Sequence, residues 1–324
     1  MADWLVEDGI AEQRAIRLRN GEIAEARMLW PGECAAGAVV DAILVSRMRG
    51  ARRGTARLPD GTETLVDGLP PQASEGAAIR LRITRPPLAE RGRLKRAHAR
   101  PADEPLRPSP SLMDQLRDEG HQPRVVHRFP DGDWDGLVAE ALHGEVPFAG
   151  GSLLISPTPA MTLIDIDGPA GPRELALAAA PVIGAAIRRL DLAGSIGIDF
   201  PTLAEKQDRR AVDACLDDAL AGWPHERTAM NGFGFVQMVA RVSRPSLIHR
   251  AAFQRAGMAA RLVLRRAERL DGPGILELSG HPSVGAAIVP EWMEELRRRA
   301  GRPVRWRSDS GLAIDAPHAQ LVEP

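Results

Sequence analysis

A chain of 324 residues with a formal net charge of −1 can hold two or three separate cores, and it lacks the global positive field common in nucleic-acid binders. Its 44% hydrophobic and 26% charged residues are those of an ordinary folded protein, and no apolar run approaches the ~20 residues of a membrane span. Cys34 and Cys215 are isolated, which excludes a CxxC zinc or redox pair, and the opening MADWLVEDGIAEQ is acidic rather than leader-like, so a cytoplasmic protein without membrane contact is expected.

In chain order, WLVEDGIAEQRAIRLRNGEIAEARM alternates apolar and polar residues around Asn20-Gly21, a strong hairpin signal. From about Gly37 to Arg85 four short strand-like runs follow, AVVDAILVSRM, GTARLPDG, TETLVDGL and AAIRLRITR, separated by Gly and Pro turns. That spacing predicts a small barrel. Ile83 to Arg100 concentrates Arg85, Arg91, Arg93, Lys95, Arg96 and Arg100 against Glu90 alone. Pro101 to Pro110, PADEPLRPSP, reads as a linker. SLMDQLRDEG and DWDGLVAEALHG then have helical spacing, and GGSLLIS is a strand opening on two glycines.

Met161 to Asp167 predicts a strand, Arg173 to Leu190 an amphipathic helix that Pro181 should kink or split, and Ser195 to Phe200 a second buried strand. A polar helix is expected after Pro201-Thr202. From about Phe253 the pattern is helix, strand, helix and a closing hairpin. A right-handed crossover would make the two strands parallel and put Asp165, Asp167 and Asp199 at their carboxyl ends, the edge where open α/β sheets bind ligands. Carboxylates so close repel unless protonated or metal-bound, and a hard divalent cation such as Mg²⁺ satisfies them. Turn formation or helix capping by the same residues is the alternative.

GGSLLISPTPAMTLIDIDG, SIGIDF with EKQDRRAV, and MNGFGFVQMVARVSRPSL together resemble the catalytic core of the ribonuclease E/G family. The N-terminal strands and EGAAIRLRITRPPLAERGRLKRA resemble the parts around and within its OB-fold, and GAAIVPEWMEELRRRAGRPVRWRSD is similar, more weakly, to its small C-terminal domain. The resemblance implies an α+β, multidomain chain: an RNase H-like remnant over 1–36 and 105–155, an OB-fold RNA-binding domain over 37–100, a DNase I-like α/β catalytic domain over 156–250, and a small α/β domain over 251–324. It implies an endoribonuclease that hydrolyses phosphodiester bonds of single-stranded RNA with metal-activated water in RNA processing or decay. Asp165, Asp167 and Asp199 would be catalytic, with Asp165 and Asp199 holding Mg²⁺ (or Mn²⁺) and Asp167 standing where the family usually has Asn. Arg91, Arg93, Lys95, Arg96, Lys206, Arg209, Arg210 and Asn231 would contact RNA. Phe233 and Phe235 read as packed core, with base stacking as the alternative.

Three departures shape the expectation. SLIHRAAFQ, Ser246 to Gln254, has no cysteine where the family places its zinc link, so zinc is not expected and any homo-oligomer would form without it. The interval before Gly150 is short for a domain that senses an RNA's 5′-phosphate, which predicts indifference to the 5′ end. Gly37 to Arg100 contains no Phe, Trp or Tyr, so RNA would be held by arginine planes and phosphate contacts, with steep salt dependence. The alternative function is an RNA-binding protein of the same fold with weak or no nuclease activity; a phosphoesterase acting on something small ranks third.

Overall fold

The computed structural model describes residues 3–323. Strands β1 (Trp4–Gly9), β2 (Glu12–Arg19) and β3 (Glu22–Leu29) form an antiparallel meander. Asn20 and Gly21 take φ values of 54° and 82°, both left-handed, as the two-residue hairpin between β2 and β3 requires.

Next comes the barrel: β4 (Val39–Arg47), β5 (Arg53–Arg57), β6 (Glu63–Asp67) and β7 (Ala78–Arg85), then a small hairpin of β8 (Leu88–Glu90) and β9 (Arg93–Lys95), and finally β10 (Ala97–Pro101). β10 runs parallel to β6 and antiparallel to β7, which closes five strands in the order β10-β6-β5-β4-β7. Leu44, Ala56, Val66, Leu81, Ile83 and Ala99 fill the interior. A closed five-stranded barrel of this order is consistent with an OB-like fold. The expected linker needs correcting: Pro101 belongs to β10, and Arg107 exchanges both backbone hydrogen bonds with Val39, at 2.9 and 3.0 Å. The segment is therefore tied to the barrel wall.

Helix α1 (Leu112–Asp118) starts at Ser111, whose hydroxyl accepts from the Asp114 N–H while the Asp114 carboxylate accepts from the Ser111 N–H, a reciprocal capping box. β11 (Pro123–Val126) then returns parallel to β1, giving the sheet order β11-β1-β2-β3. α2 (Trp134–His143) buries Trp134, Leu137, Val138, Ala141 and Leu142.

The largest sheet contains β12 (Glu145–Phe148), β13 (Gly151–Pro157), β14 (Thr162–Asp167), β15 (Gly194–Asp199), β16 (Glu226–Arg227) and β17 (Phe235–Ala240), in the order β12-β13-β14-β15-β17-β16. Helix α3 (Pro172–Arg189) makes the crossover between the parallel strands β14 and β15, and α4 (Lys206–Leu220) packs beside it. One face of the sheet is apolar because Leu153, Ile155, Ile164, Ile166, Ile196, Ile198, Val236 and Met238 alternate inward under the helices. Each fully buried side chain of this kind contributes roughly 1.5–3 kcal/mol. The same core includes Ile16, Met28, Trp30 and Trp134, so it runs across the expected 155/156 boundary, which falls inside β13.

Pro181 does not split α3. It lies on the exposed side of one continuous helix, and the Leu177 carbonyl that it leaves without an N–H donor accepts from the Cys215 thiol at 3.9 Å.

The remainder comprises α5 (Leu247–Phe253), α6 (Arg255–Glu268), β18 (Ile275–Gly280), α7 (Pro282–Ala287), α8 (Pro290–Ala300), β19 (Val304–Ser308) and β20 (His318–Val322). The expected closing hairpin is absent among the described residues: β19 and β20 flank β18 on opposite sides, in the order β19-β18-β20. Arg250 and Arg261 each lie over the Trp30 ring, at 4.0 and 3.7 Å, and the buried Arg265 reaches Glu7 of β1 and Asp135 of α2, so α5 and α6 are tied to the N-terminal sheet and to α2. Among the described residues no helix is long and apolar enough to cross a membrane.

Candidate functional site

The six-stranded sheet leaves its second face open, and strand register decides what stands there. Asp165 pairs with Asp199 across β14 and β15. Directly paired residues on neighbouring strands point to the same face with backbones about 4.8 Å apart. Both are exposed, while Ile164 and Ile198, one position earlier on each strand, are fully buried on the other face. The apolar pattern that drives the crossover helix onto one side therefore drives both carboxylates onto the other. The row extends across the sheet as Glu145, Leu154, Asp165, Asp199 and Phe235.

Asp167 lies two residues on, about 6.6 Å further along β14. It pairs with Ser152 on β13, and β15 has ended by that row. Asp165 and Asp199 are thus a pair and Asp167 a neighbour at the strand end. Among the described residues no group of three or more His, Cys, Asp or Glu side chains gathers as a metal cluster. The Asp165 Oδ1 accepts from the Ile166 N–H at 3.0 Å, and the Asp167 Oδ1 from the Gly168 N–H at 2.9 Å.

In a protein so rich in arginine–carboxylate pairs, none of the three enters an ion pair among the described residues. Three acids of α4, by contrast, are engaged: Asp208 by Arg173 at 2.8 Å, and Asp213 and Asp217 by Arg227, each at 2.7 Å. Two unpaired carboxylates in direct register suit Mg²⁺, which commonly takes one or two protein carboxylates and completes its octahedron with water and substrate phosphate.

The loop before β17 abuts the end of β15. Asn231 holds it: its Oδ1 accepts from the N–H groups of Phe233 at 2.9 Å and Phe235 at 3.1 Å. Gly234, at φ +90°, accepts from the Phe200 N–H at 3.1 Å, immediately after Asp199, and a Cβ there would fall 2.3 Å from the Phe200 carbonyl oxygen. Asp213 of α4 anchors the approach by accepting from the Met230 N–H at 3.1 Å. These contacts correct one expectation. Phe233 is not core; it is 82% exposed, the most exposed large apolar side chain among the described residues. Phe235 is half-buried and lies across Gly197, whose missing side chain makes room for its ring.

The basic candidates divide. Lys206 and Arg210 are exposed at the start of α4, seven and eleven positions after Asp199, whereas Arg209 donates to the carbonyls of Leu203 and Ala204 and so shapes the loop between β15 and α4. Arg91, Arg93, Lys95 and Arg96 lie on or beside the β8–β9 hairpin of the barrel, all exposed. Arg93 and Lys95 share Glu90, and Arg96 meets Glu63 at 3.0 Å. Helix α5 contacts both β8 of the hairpin and β13 of the six-stranded sheet. The cysteine-free stretch Ser246 to Gln254 is α5 itself, capped by the Ser246 hydroxyl, with the buried Arg250 holding Glu33 at 2.6 Å.

The sequence favoured a core position for Phe233 over base stacking, and the clamp beneath it was not foreseen. The signal was present as Asn-Gly-Phe-Gly-Phe: two glycines around an aromatic favour a protruding turn over a strand. No protein-family model matches this chain, and no curated protein sequence matches it.

Proposed function

We propose that this protein is a Mg²⁺-dependent endoribonuclease of the ribonuclease E/G type, acting on single-stranded RNA. The observation that carries the reading is the Asp165–Asp199 pair, in direct register on parallel strands, exposed, and paired with no cation of the protein. In this reading 1–36 and 105–155 form an RNase H-like remnant, 37–100 the OB-type RNA-binding unit, 156–250 a DNase I-like catalytic unit, and 251–324 the small C-terminal domain. The partner is RNA in the cytoplasm.

Asp165 and Asp199 would hold Mg²⁺, or Mn²⁺ in its place. The bound cation supplies a water of lowered pKa and neutralises charge developing on the phosphate. The chain's own part is positional. β14 and β15 fix the two carboxylates rigidly against a packed core, so they need no rearrangement as charge develops. Asp167, one row beyond, flanks the same edge with a further negative charge. Lys206 and Arg210, free of ion pairs among the described residues, would receive RNA phosphates from the α4 side, and the basic β8–β9 hairpin would guide the strand electrostatically.

The test is incubation of a 5′-labelled A/U-rich oligonucleotide with Mg²⁺ or EDTA, for wild type and Asp199→Asn. Cleavage that requires Mg²⁺ and falls on the order of 10²–10³-fold in the variant is the expected result. Equal cleavage by the variant would refute the site, and tight binding without cleavage by wild type would favour an RNA-binding protein lacking nuclease activity.

A further inference from the structure

We infer that Phe233 is a stacking platform for one nucleobase of the RNA strand, seated beside the Asp165–Asp199 pair; the inference rests on the RNA reading of that site. A phenyl ring 82% exposed is normally costly, because its apolar surface stays in water. Here the exposure is enforced by the fold. The Asn231 side chain grips the backbone on both sides of Gly234, at Phe233 and Phe235. Gly234, in its left-handed conformation, seats the loop so close to the Phe200 carbonyl that no Cβ fits. The backbone that carries the ring is thus held in place at Phe233, Gly234 and Phe235.

Its position defines the ligand. Phe200, bonded to Gly234, follows Asp199 directly, and Phe235 is the register partner of Asp199. The loop that carries Phe233 therefore adjoins the strand end that carries Asp199. Single-strand binders combine such planes with a charged track, because every base has a π-face. The barrel of this protein offers no Phe, Trp or Tyr between Gly37 and Arg100, and this loop supplies an exposed ring. A base held on Phe233 would fix the sugar–phosphate next to it in register with Asp199. The ring would thereby help select which bond is cut, without reading base identity.

The experiment is equilibrium binding in EDTA, so that cleavage plays no part. The probe is a single-stranded RNA carrying one 2-aminopurine, whose fluorescence is quenched by stacking. Wild type, Phe233→Ala, Phe233→Trp and Asp199→Asn are compared. Quenching by wild type, Phe233→Trp and Asp199→Asn, with a Kd raised roughly 5- to 150-fold and quenching lost in Phe233→Ala, supports the inference. Phe233→Ala with wild-type Kd and quenching overturns it. So does an unchanged RNA Kd accompanied by loss of self-association in Phe233→Ala, which would assign the ring to a second copy of the chain. Phe233-dependent quenching together with no cleavage in Mg²⁺ would sustain the platform and overturn the nuclease reading alone.

Discussion

Replacing Gly234 by alanine probes the joint between the aromatic loop and the Asp199 strand. Three costs add. Residue 234 has φ +90°, a region that costs an L-residue about 1–2 kcal/mol. The new Cβ would stand 2.3 Å from the Phe200 oxygen and 3.2 Å from the Pro201 oxygen, both backbone atoms that cannot swing aside, for about 1–3 kcal/mol of overpacking. Relief of that clash breaks the 3.1 Å bond from the Phe200 N–H to the Gly234 carbonyl, worth about 0.5–1.5 kcal/mol. Gly222 is the control: it has φ +76° but nothing within 4 Å of a Cβ, so Gly222→Ala carries the conformational cost alone. The difference between the two variants is about 2–4 kcal/mol. At roughly 2–4 °C per kcal/mol, the value for domains of about 150–250 residues, Gly234→Ala should melt about 4–16 °C below Gly222→Ala by circular dichroism. Equal melting temperatures would refute the close approach, and with it the rigid mount for Phe233.

Three further expectations can be checked directly. Arg91 is exposed on the barrel hairpin and has no carboxylate partner among the described residues, so Arg91→Ala should weaken RNA binding and reduce the slope of log K against log salt by about 0.7, the single-strand value per phosphate contact; an unchanged slope would remove the hairpin from the RNA path. Burial pushes the His249 imidazole below its ordinary value of 6.5, so the unfolded chain takes up the proton first. The stability this contributes is complete above pH 6.5 and is lost as pH falls below it, so His249→Gln should lose less melting temperature than wild type between pH 7.5 and 5.5. Identical pH slopes would contradict this. RNA substrates with 5′-hydroxyl and 5′-phosphate ends should be cleaved at equal rates, and a strong preference for the phosphate would show that some surface of the protein senses it.

How much of this was legible in the chain depended on the range of the interaction. Asn20-Gly21 announces its hairpin because the turn needs two left-handed residues and nothing distant. The placing of Asp165 and Asp199 was also legible: apolar runs mark the strands, an amphipathic helix lies between them, and crossovers have one hand. Their direct register was not, since pairing depends on how the two strands slide past each other. β10 hid in a basic run because its inward residues are only Ala97 and Ala99, too small to draw an alternating pattern against His98 and Arg100. Pro181 misled because a proline's cost in a helix depends on what receives the freed carbonyl, and Cys215 comes from another helix. The closing hairpin failed because β18, earlier in the chain, inserts between β19 and β20. Phe233 resembles any buried phenylalanine in composition, and only the Asn231 clamp and the Gly234 seat turn it outward.

Whether Asp165 and Asp199 act as one divalent-cation site is decided by Mn²⁺ binding read by electron paramagnetic resonance. Wild type should take up one Mn²⁺ per chain in competition with Mg²⁺. Asp165→Asn and Asp199→Asn should each remove that ion, and the double variant should be no worse than either single one, as two ligands of one cation require. Retention of the ion by either single variant at wild-type affinity would show that the two carboxylates do not share it.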